Sequence, residues 1–314
     1  MSIEELIEKS LKDLVSALTT DEACGKLIFP CSRDSNIRHS EQELRQIFLR
    51  NVEEDGNYFY SVETPTKYVY CFKNSETPNV KVPDDTDDND EDNYKSARFD
   101  VSLYNKDYKV NDNASHHIEF KYGNPDQKNA ICKDFLKLVS EVDLTNEKKS
   151  FFVHYLCVKT EKGWQSQTFP SLFKKYCNSI VDIEKSLKSS TNQDNTKSLS
   201  EKLSKNLMNY LQNITVYFLC FFETSKSSST YRFSLSDLKN YIDKKMDDKN
   251  SSEKDWLWLN EKIFNTEHSI WFFQIKNKKQ TAKLQMLHDE KWNWKFRHMP
   301  KHKEKIDTSF SLEN

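Results

Sequence analysis

The stretch "HHIEFKYGNPD", residues 116–126, sets Glu119 and Lys121 two positions apart in a strand-like run whose other residues are largely apolar. Side chains alternate between the two faces of a strand, so Ile118 and Phe120 share one face and Glu119 and Lys121 the other. The upstream stretch "RFDVSL", residues 98–103, has the same construction. There Phe99, Val101 and Leu103 share a face, which puts Asp100 on the opposite one with Arg98 and Ser102. The connector at 105–115 is short and polar, so the two strands are expected to be hairpin neighbours. Asp100 and Glu119 then meet on a common face beside Lys121.

Two carboxylates brought together repel unless a cation neutralises them. Hard oxygen ligands of this kind suit Mg²⁺ or Mn²⁺, which retain waters for chemistry. A third acid comes from "HSEQELRQIFLRNV", residues 39–52, where Ser40 and Glu43 have the S-x-x-E spacing of a capping box and mark a helix start. With Leu44, Ile47, Phe48 and Val52 as the buried face, Glu41 falls about 45° from the centre of that face. Glu43 is taken by the cap, so Glu41 is the acid expected to aim at the site.

Further along, "KNAICKDFLKLVSEV" (128–142) repeats Ile131, Phe135, Leu138 and Val142 at helical spacing. Lys133 and Lys137 are expected to project from the opposite side. The run "SFFVHYLCV" (150–158) reads as a strand, as does "YFYSVETPTKYVYCF" (58–72), the latter interrupted near Pro65 and placed at a sheet edge or in a bent hairpin. Other helices are expected over 3–18, 170–187, up to 212 and 235–246, with a strand at 214–223 and a Ser/Thr/Asn/Lys-rich connector at 188–200.

At 314 residues the chain can bury a sizeable core, and its 36% hydrophobic and 31% charged residues are those of a globular protein. A net charge of −2 gives no global attraction to nucleic acid, so any such contact rests on local patches. Seven scattered cysteines without a C-x-x-C pair argue against a disulfide framework or zinc knuckle and are expected to be reduced. The first segment alternates charged and apolar residues, and the longest apolar run, "VYFLCFF" (216–222), is too short to span a bilayer. A cytoplasmic protein without membrane association is expected.

The order of helix with Glu41, strand with Asp100, strand with Glu119-Phe120-Lys121, helix and strand resembles the PD-(D/E)XK nuclease superfamily, which includes restriction endonucleases and Holliday-junction resolvases. "SEQEL" (40–44) is similar to the Glu-bearing first helix of the resolvases, and D-x18-E-x-K is the site pattern. The resemblance covers roughly residues 38–160, about 40% of the chain, and Phe99 stands where the superfamily has the Pro of "PD".

The resemblance implies an α/β fold: a restriction endonuclease-like core with a central mixed sheet flanked by helices. Residues 1–225 would form the nuclease-like domain and residues 226–314 a C-terminal α+β extension, packed on the same sheet or separate from it. It further implies Mg²⁺ or Mn²⁺ held by Asp100, Glu119, the Phe120 carbonyl and Glu41. Lys121 would orient or help deprotonate the attacking water, giving a 5′-phosphate and a 3′-hydroxyl. The expected partner is nucleic acid, with DNA ahead of RNA and restriction or anti-phage defence as the setting. A protein partner or homo-oligomer stays open. The alternative is a nuclease-like fold that binds nucleic acid or protein as a regulatory subunit and does not cut.

Other motifs carry less. His116 and His117 are expected in a solvated turn and His154 as a satisfied core histidine. The acidic block 84–92 reads as a solvated loop rather than a calcium site. The basic and aromatic run "KWNWKFRHMPKHKEK" (291–305) suits a nucleic-acid backbone, but an edge strand with a solvated tail is favoured. Phosphate-loop, nucleophile-elbow and dinucleotide fingerprints are absent from the sequence.

Overall fold

The computed structural model describes residues 1–20, 29–30, 38–71, 79–81, 95–107, 109, 114–125, 130–144, 148–160, 169–190, 197–247 and 273–275. The acidic block 84–92 and the run 291–305 lie outside the described residues. Two amphipathic helices, α1 (Ile3–Thr20) and α2 (Glu41–Asp55), precede strand β1 (Tyr58–Cys71), the short β2 (Asn79–Lys81), β3 (Lys95–Asn105) and β4 (His116–Tyr122). Helix α3 (Ala130–Glu141) leads to β5 (Ser150–Val158). Helices α4 (Phe169–Ser190), α5 (Lys197–Lys205) and α6 (Leu207–Gln212) precede β6 (Ile214–Phe222), β7 (Ser227–Ser234), α7 (Leu235–Asp247) and β8 (Phe273–Ile275).

The strands form one mixed sheet in the order β2-β1-β3-β4-β5-β6-β7-β8. β1, β3 and β4 run antiparallel, β4 to β5 and β5 to β6 are parallel, and β7 and β8 return antiparallel. Thus β3 and β4 are the expected hairpin neighbours, and α3 is the crossover that the parallel β4–β5 pair requires. The fold is α/β, with helices on both faces of a mixed sheet. Strands β7 and β8, from beyond residue 225, continue that same sheet.

Alternation along β5 shows why both faces are covered. Phe151, Val153 and Tyr155 pack with α1 and α2, whereas Phe152 and Leu156 pack with α3, α4 and α7. Both central parallel strands are accordingly near-continuous apolar runs. Helix α1 also reaches along this face to β7: Lys226, just before that strand, donates to the Leu18 carbonyl at 3.2 Å, and Arg232 lies 3.7 Å from Glu8.

Two irregularities matter for the site. In β1 the register with β3 shifts between Pro65 and Val69, where the chain bends as the proline predicts. Glu141, at the end of α3, accepts the Lys67 and Tyr68 backbone N–H groups of the bent segment at 2.7 and 3.1 Å, and burial raises its carboxyl to about 7. In β3 the pairing with β4 ends at Val101 opposite Ile118. Past that point Phe99 leaves the face of Val101 and Leu103, contrary to strict alternation. It packs on the α3 side, stacked on His117 at 4.1 Å between ring centroids.

The histidines also correct and confirm particular expectations. His116 and His117 are not in a turn but open β4, where His117 pairs with Ser102 Oγ at 2.9 Å and burial lowers its pKa to about 3. His154 is the satisfied core histidine expected: Nε2 donates to the Gly123 carbonyl at 2.5 Å, and Nδ1 accepts from Tyr176 at 2.6 Å. Burial lowers its pKa from 6.5 to about 4. The stability it confers is therefore full above pH 6.5 and is lost as pH falls from there towards 4. Urea unfolding of wild type and His154→Gln should show their gap narrowing by about 2–3 kcal/mol between pH 7 and 4.5. A gap independent of pH would mean that His154 titrates normally.

Candidate functional site

The site lies where β3 parts from β4. With no β3 residue paired to it, the Phe120 N–H would lack an acceptor, and the Asp100 side chain supplies one: Oδ2 accepts it at 2.7 Å. Asp100 thus bridges the parted strands in place of the missing ladder bond. The carbonyl of Phe120, on the same side of the strand as its N–H, likewise has no paired residue on β3.

From one side of the gap comes α2. Ser40 and Glu43 form the expected capping box, with Glu43 Oε2 accepting from Ser40 N at 2.9 Å and Ser40 Oγ at 2.6 Å. The Tyr155 hydroxyl donates to the Ser40 carbonyl at 2.6 Å and ties the helix start to the sheet. Leu44, Ile47, Phe48 and Val52 are buried as expected, which leaves Glu41 half-buried at the mouth of the gap. Burial, then the nearby Asp100, raises the Glu41 pKa. One turn on, Arg45 lies 2.9 Å from Glu63 and 3.8 Å from Asp100. Glu63 adopts the left-handed backbone region, at φ 51, rare for a residue with a side chain.

From the other side comes α3, where the structure overturns one expectation. Lys137 does not project away from the core but is 8% exposed and points at the site. Its Nζ donates to Glu119 Oε1 at 2.6 Å and to the Arg98 carbonyl at 3.0 Å, and lies 3.3 Å from Asp134 Oδ1. The helix is buried nearly all round, so no polar side existed for it to face. Asp134 Oδ2 is also 2.9 Å from Lys121 Nζ, so one carboxylate holds both lysines.

The electrostatics follow from this crowding. Glu119, only 3% exposed, has its pKa raised well above the ordinary carboxylate value by burial first and Asp134 second, with Asp100 adding to it against the pull of Lys137. Burial raises Asp100 too, against its hydrogen bond from Phe120. Burial works against the Lys121 ammonium, yet Asp134, Glu41 and Glu119 outweigh it and raise its pKa. Five carboxyl groups (Glu41, Glu63, Asp100, Glu119, Asp134) face three cations (Arg45, Lys121, Lys137), so acids outnumber the cations beside them.

The structure therefore brings together Glu41, Asp100, Glu119 and Lys121, and adds Arg45, Asp134 and Lys137. Arg45 was findable as the i+4 partner of Glu41, and Asp134 and Lys137 as an i, i+3 pair. Among the described residues, no three His, Cys, Asp or Glu side chains stand close enough to hold a metal ion as they are placed. The described cysteines, Cys71, Cys132, Cys157, Cys177 and Cys220, are thiols and form no disulfide. No helix among the described residues is long and apolar enough to cross a membrane. In comparisons with known proteins, no family model, no curated protein and no solved structure matches the chain.

Proposed function

We propose that this chain is a metal-dependent nuclease that hydrolyses phosphodiester bonds, with DNA as the first substrate to test. The observation that carries the reading is the cluster of acids where β3 and β4 part: hard oxygen donors, more numerous than the cations beside them, whose carboxyl pKa values are raised by burial and by one another. A divalent cation of the Mg²⁺ or Mn²⁺ kind suits that cluster in the sign of its charge and in ligand chemistry. Supporting it is the order of elements: the acid-bearing α2, the antiparallel β1, β3 and β4, then α3 and the parallel β5. This is the arrangement expected of a restriction endonuclease-like core.

Asp100, Glu119, Glu41 and the Phe120 carbonyl are the groups that would hold the cation. When bound, it would polarise a phosphoryl oxygen and make a water more acidic. The chain's own residues do the rest. Lys121, kept protonated by Asp134, orients water or phosphate through its N–H donors and offsets charge developing on the phosphate, rather than acting as the base. Asp100 bridges the parted strands by accepting the Phe120 N–H. Arg45, braced by Glu63, lies 3.8 Å from Asp100 and steadies its carboxylate.

The direct test is cleavage of plasmid and single-stranded DNA by wild type with Mg²⁺ or Mn²⁺, with and without a chelator. Lys121→Ala should lower the rate by about 10²-fold or more. A second reading has its own observation: Glu119 is already paired with Lys137 at 2.6 Å, as in a fold that binds and does not cut. Wild type that binds nucleic acid but leaves it intact under every metal condition would favour that reading.

A further inference from the structure

Lys137 makes contacts that an ordinary salt bridge does not need. An ammonium has three donors and no acceptor. Those of Lys137 face three oxygens: Glu119 Oε1 at 2.6 Å, the Arg98 carbonyl at 3.0 Å and Asp134 Oδ1 at 3.3 Å. The acceptors come from three elements, β4, β3 and α3, and converge on a buried point beside the parted strands. A buried cation surrounded by oxygens from separate elements is placed as a metal ion would be.

We infer that Lys137 is a resident competitor for the divalent cation: its ammonium neutralises Glu119 in the metal-free protein and must leave Glu119 before that carboxylate can bind metal. This deepens the proposed function and rests on its assignment of Glu119 as a metal ligand. The exchange balances in charge. A divalent cation makes good the loss of one ammonium from Glu119 and still offsets part of the remaining acid excess. Lys137 also has a place to go. Asp134 lies one turn back on the same helix and already contacts it, so the flexible lysine stem can release Glu119 and keep a carboxylate partner. Asp134 is then the positioning residue that receives Lys137 while holding Lys121.

The consequence is a metal affinity lower than the acids alone would give. The test reads Mn²⁺ binding directly, by calorimetry and by electron paramagnetic resonance, on full-length protein without substrate. Lys137→Met should bind Mn²⁺ about tenfold tighter than wild type or more, and adding Glu119→Gln should remove the gain. Lys137→Arg, which keeps a charge on Glu119, should bind no tighter than wild type. Should Lys137→Met fail to fold, Lys137→Gln keeps polar partners for Glu119 and the Arg98 carbonyl and reports the same comparison. A folded, uncharged variant that binds Mn²⁺ no tighter than wild type overturns the inference. Metal-dependent DNA cleavage by wild type in that case leaves the nuclease reading standing, so the two failures are distinguishable. If neither wild type nor the uncharged variant binds Mn²⁺ and wild type cleaves no DNA with any metal, both fall.

Discussion

Asp100→Asn should lower metal-dependent cleavage by about 10²- to 10³-fold while the protein stays folded. The carboxylate has two separable duties. One is negative charge at the point where the site is over-acidic, and the other is a hydrogen-bond acceptor for Phe120 N–H at 2.7 Å. Asparagine keeps the acceptor and drops the charge, so the parted strands remain bridged while the cation loses a ligand. Stability without metal should hold or rise, because repulsion on Glu41 and Glu119 is relieved. Alanine removes both duties and leaves a backbone donor unsatisfied, a further cost of about 1–3 kcal/mol. Plasmid nicking and urea unfolding of the two variants separate the roles. An asparagine variant that cuts like wild type would remove Asp100 from the chemistry.

The largest effect on stability should come from Phe152→Ala, about 3–5 kcal/mol in urea unfolding. Phe152 lies on a central parallel strand with no exposed surface. Its ring meets Phe135 of α3 edge-on at 5.0 Å between centroids, and it also packs against Tyr176 and His154. Removing it opens a cavity between β5, α3 and α4 that rigid aromatic neighbours cannot close. Since α3 carries Asp134 and Lys137, loosening it should also lower activity in variants that remain folded. A loss under 1 kcal/mol would show that this part of the core repacks freely.

Much of this arrangement could be read before the structure was known, for identifiable reasons. The α2 start was legible because a capping box is a local signal, and β5 was legible as an apolar run bounded by polar residues. The meeting of Asp100 with Glu119 followed from alternation and a short connector. Alternation also misled: it placed Phe99 beside Val101, but the strand departs from regular pairing at Asp100, and nothing local in "RFDVSL" marks that departure. Strand β7 is hidden in the sequence because "SSSTYRF" has the composition of a turn, although Ser228, Ser229 and Thr230 are buried in the sheet. Helical periodicity puts Lys137 opposite the face of Ile131, Phe135, Leu138 and Val142, and so away from the core. What buries it is an acid from a strand 18 residues earlier, a partner that helical periodicity cannot reveal.

The reach of α1 along the sheet to Arg232 and Lys226 has a consequence for how the chain is made. The apolar face of α1 is completed by Tyr217, Leu219 and Phe221, which the ribosome adds about two hundred residues after α1 itself. At translation rates of about 5–20 residues per second, that interval is roughly 10–40 s. Through it, the first helix waits on a half-built sheet, with the site's acids already synthesised but one wall of their scaffold still to come. Closure of this fold is therefore a late event in its synthesis, set by the arrival of β6 and β7 and not by the residues that would do the chemistry.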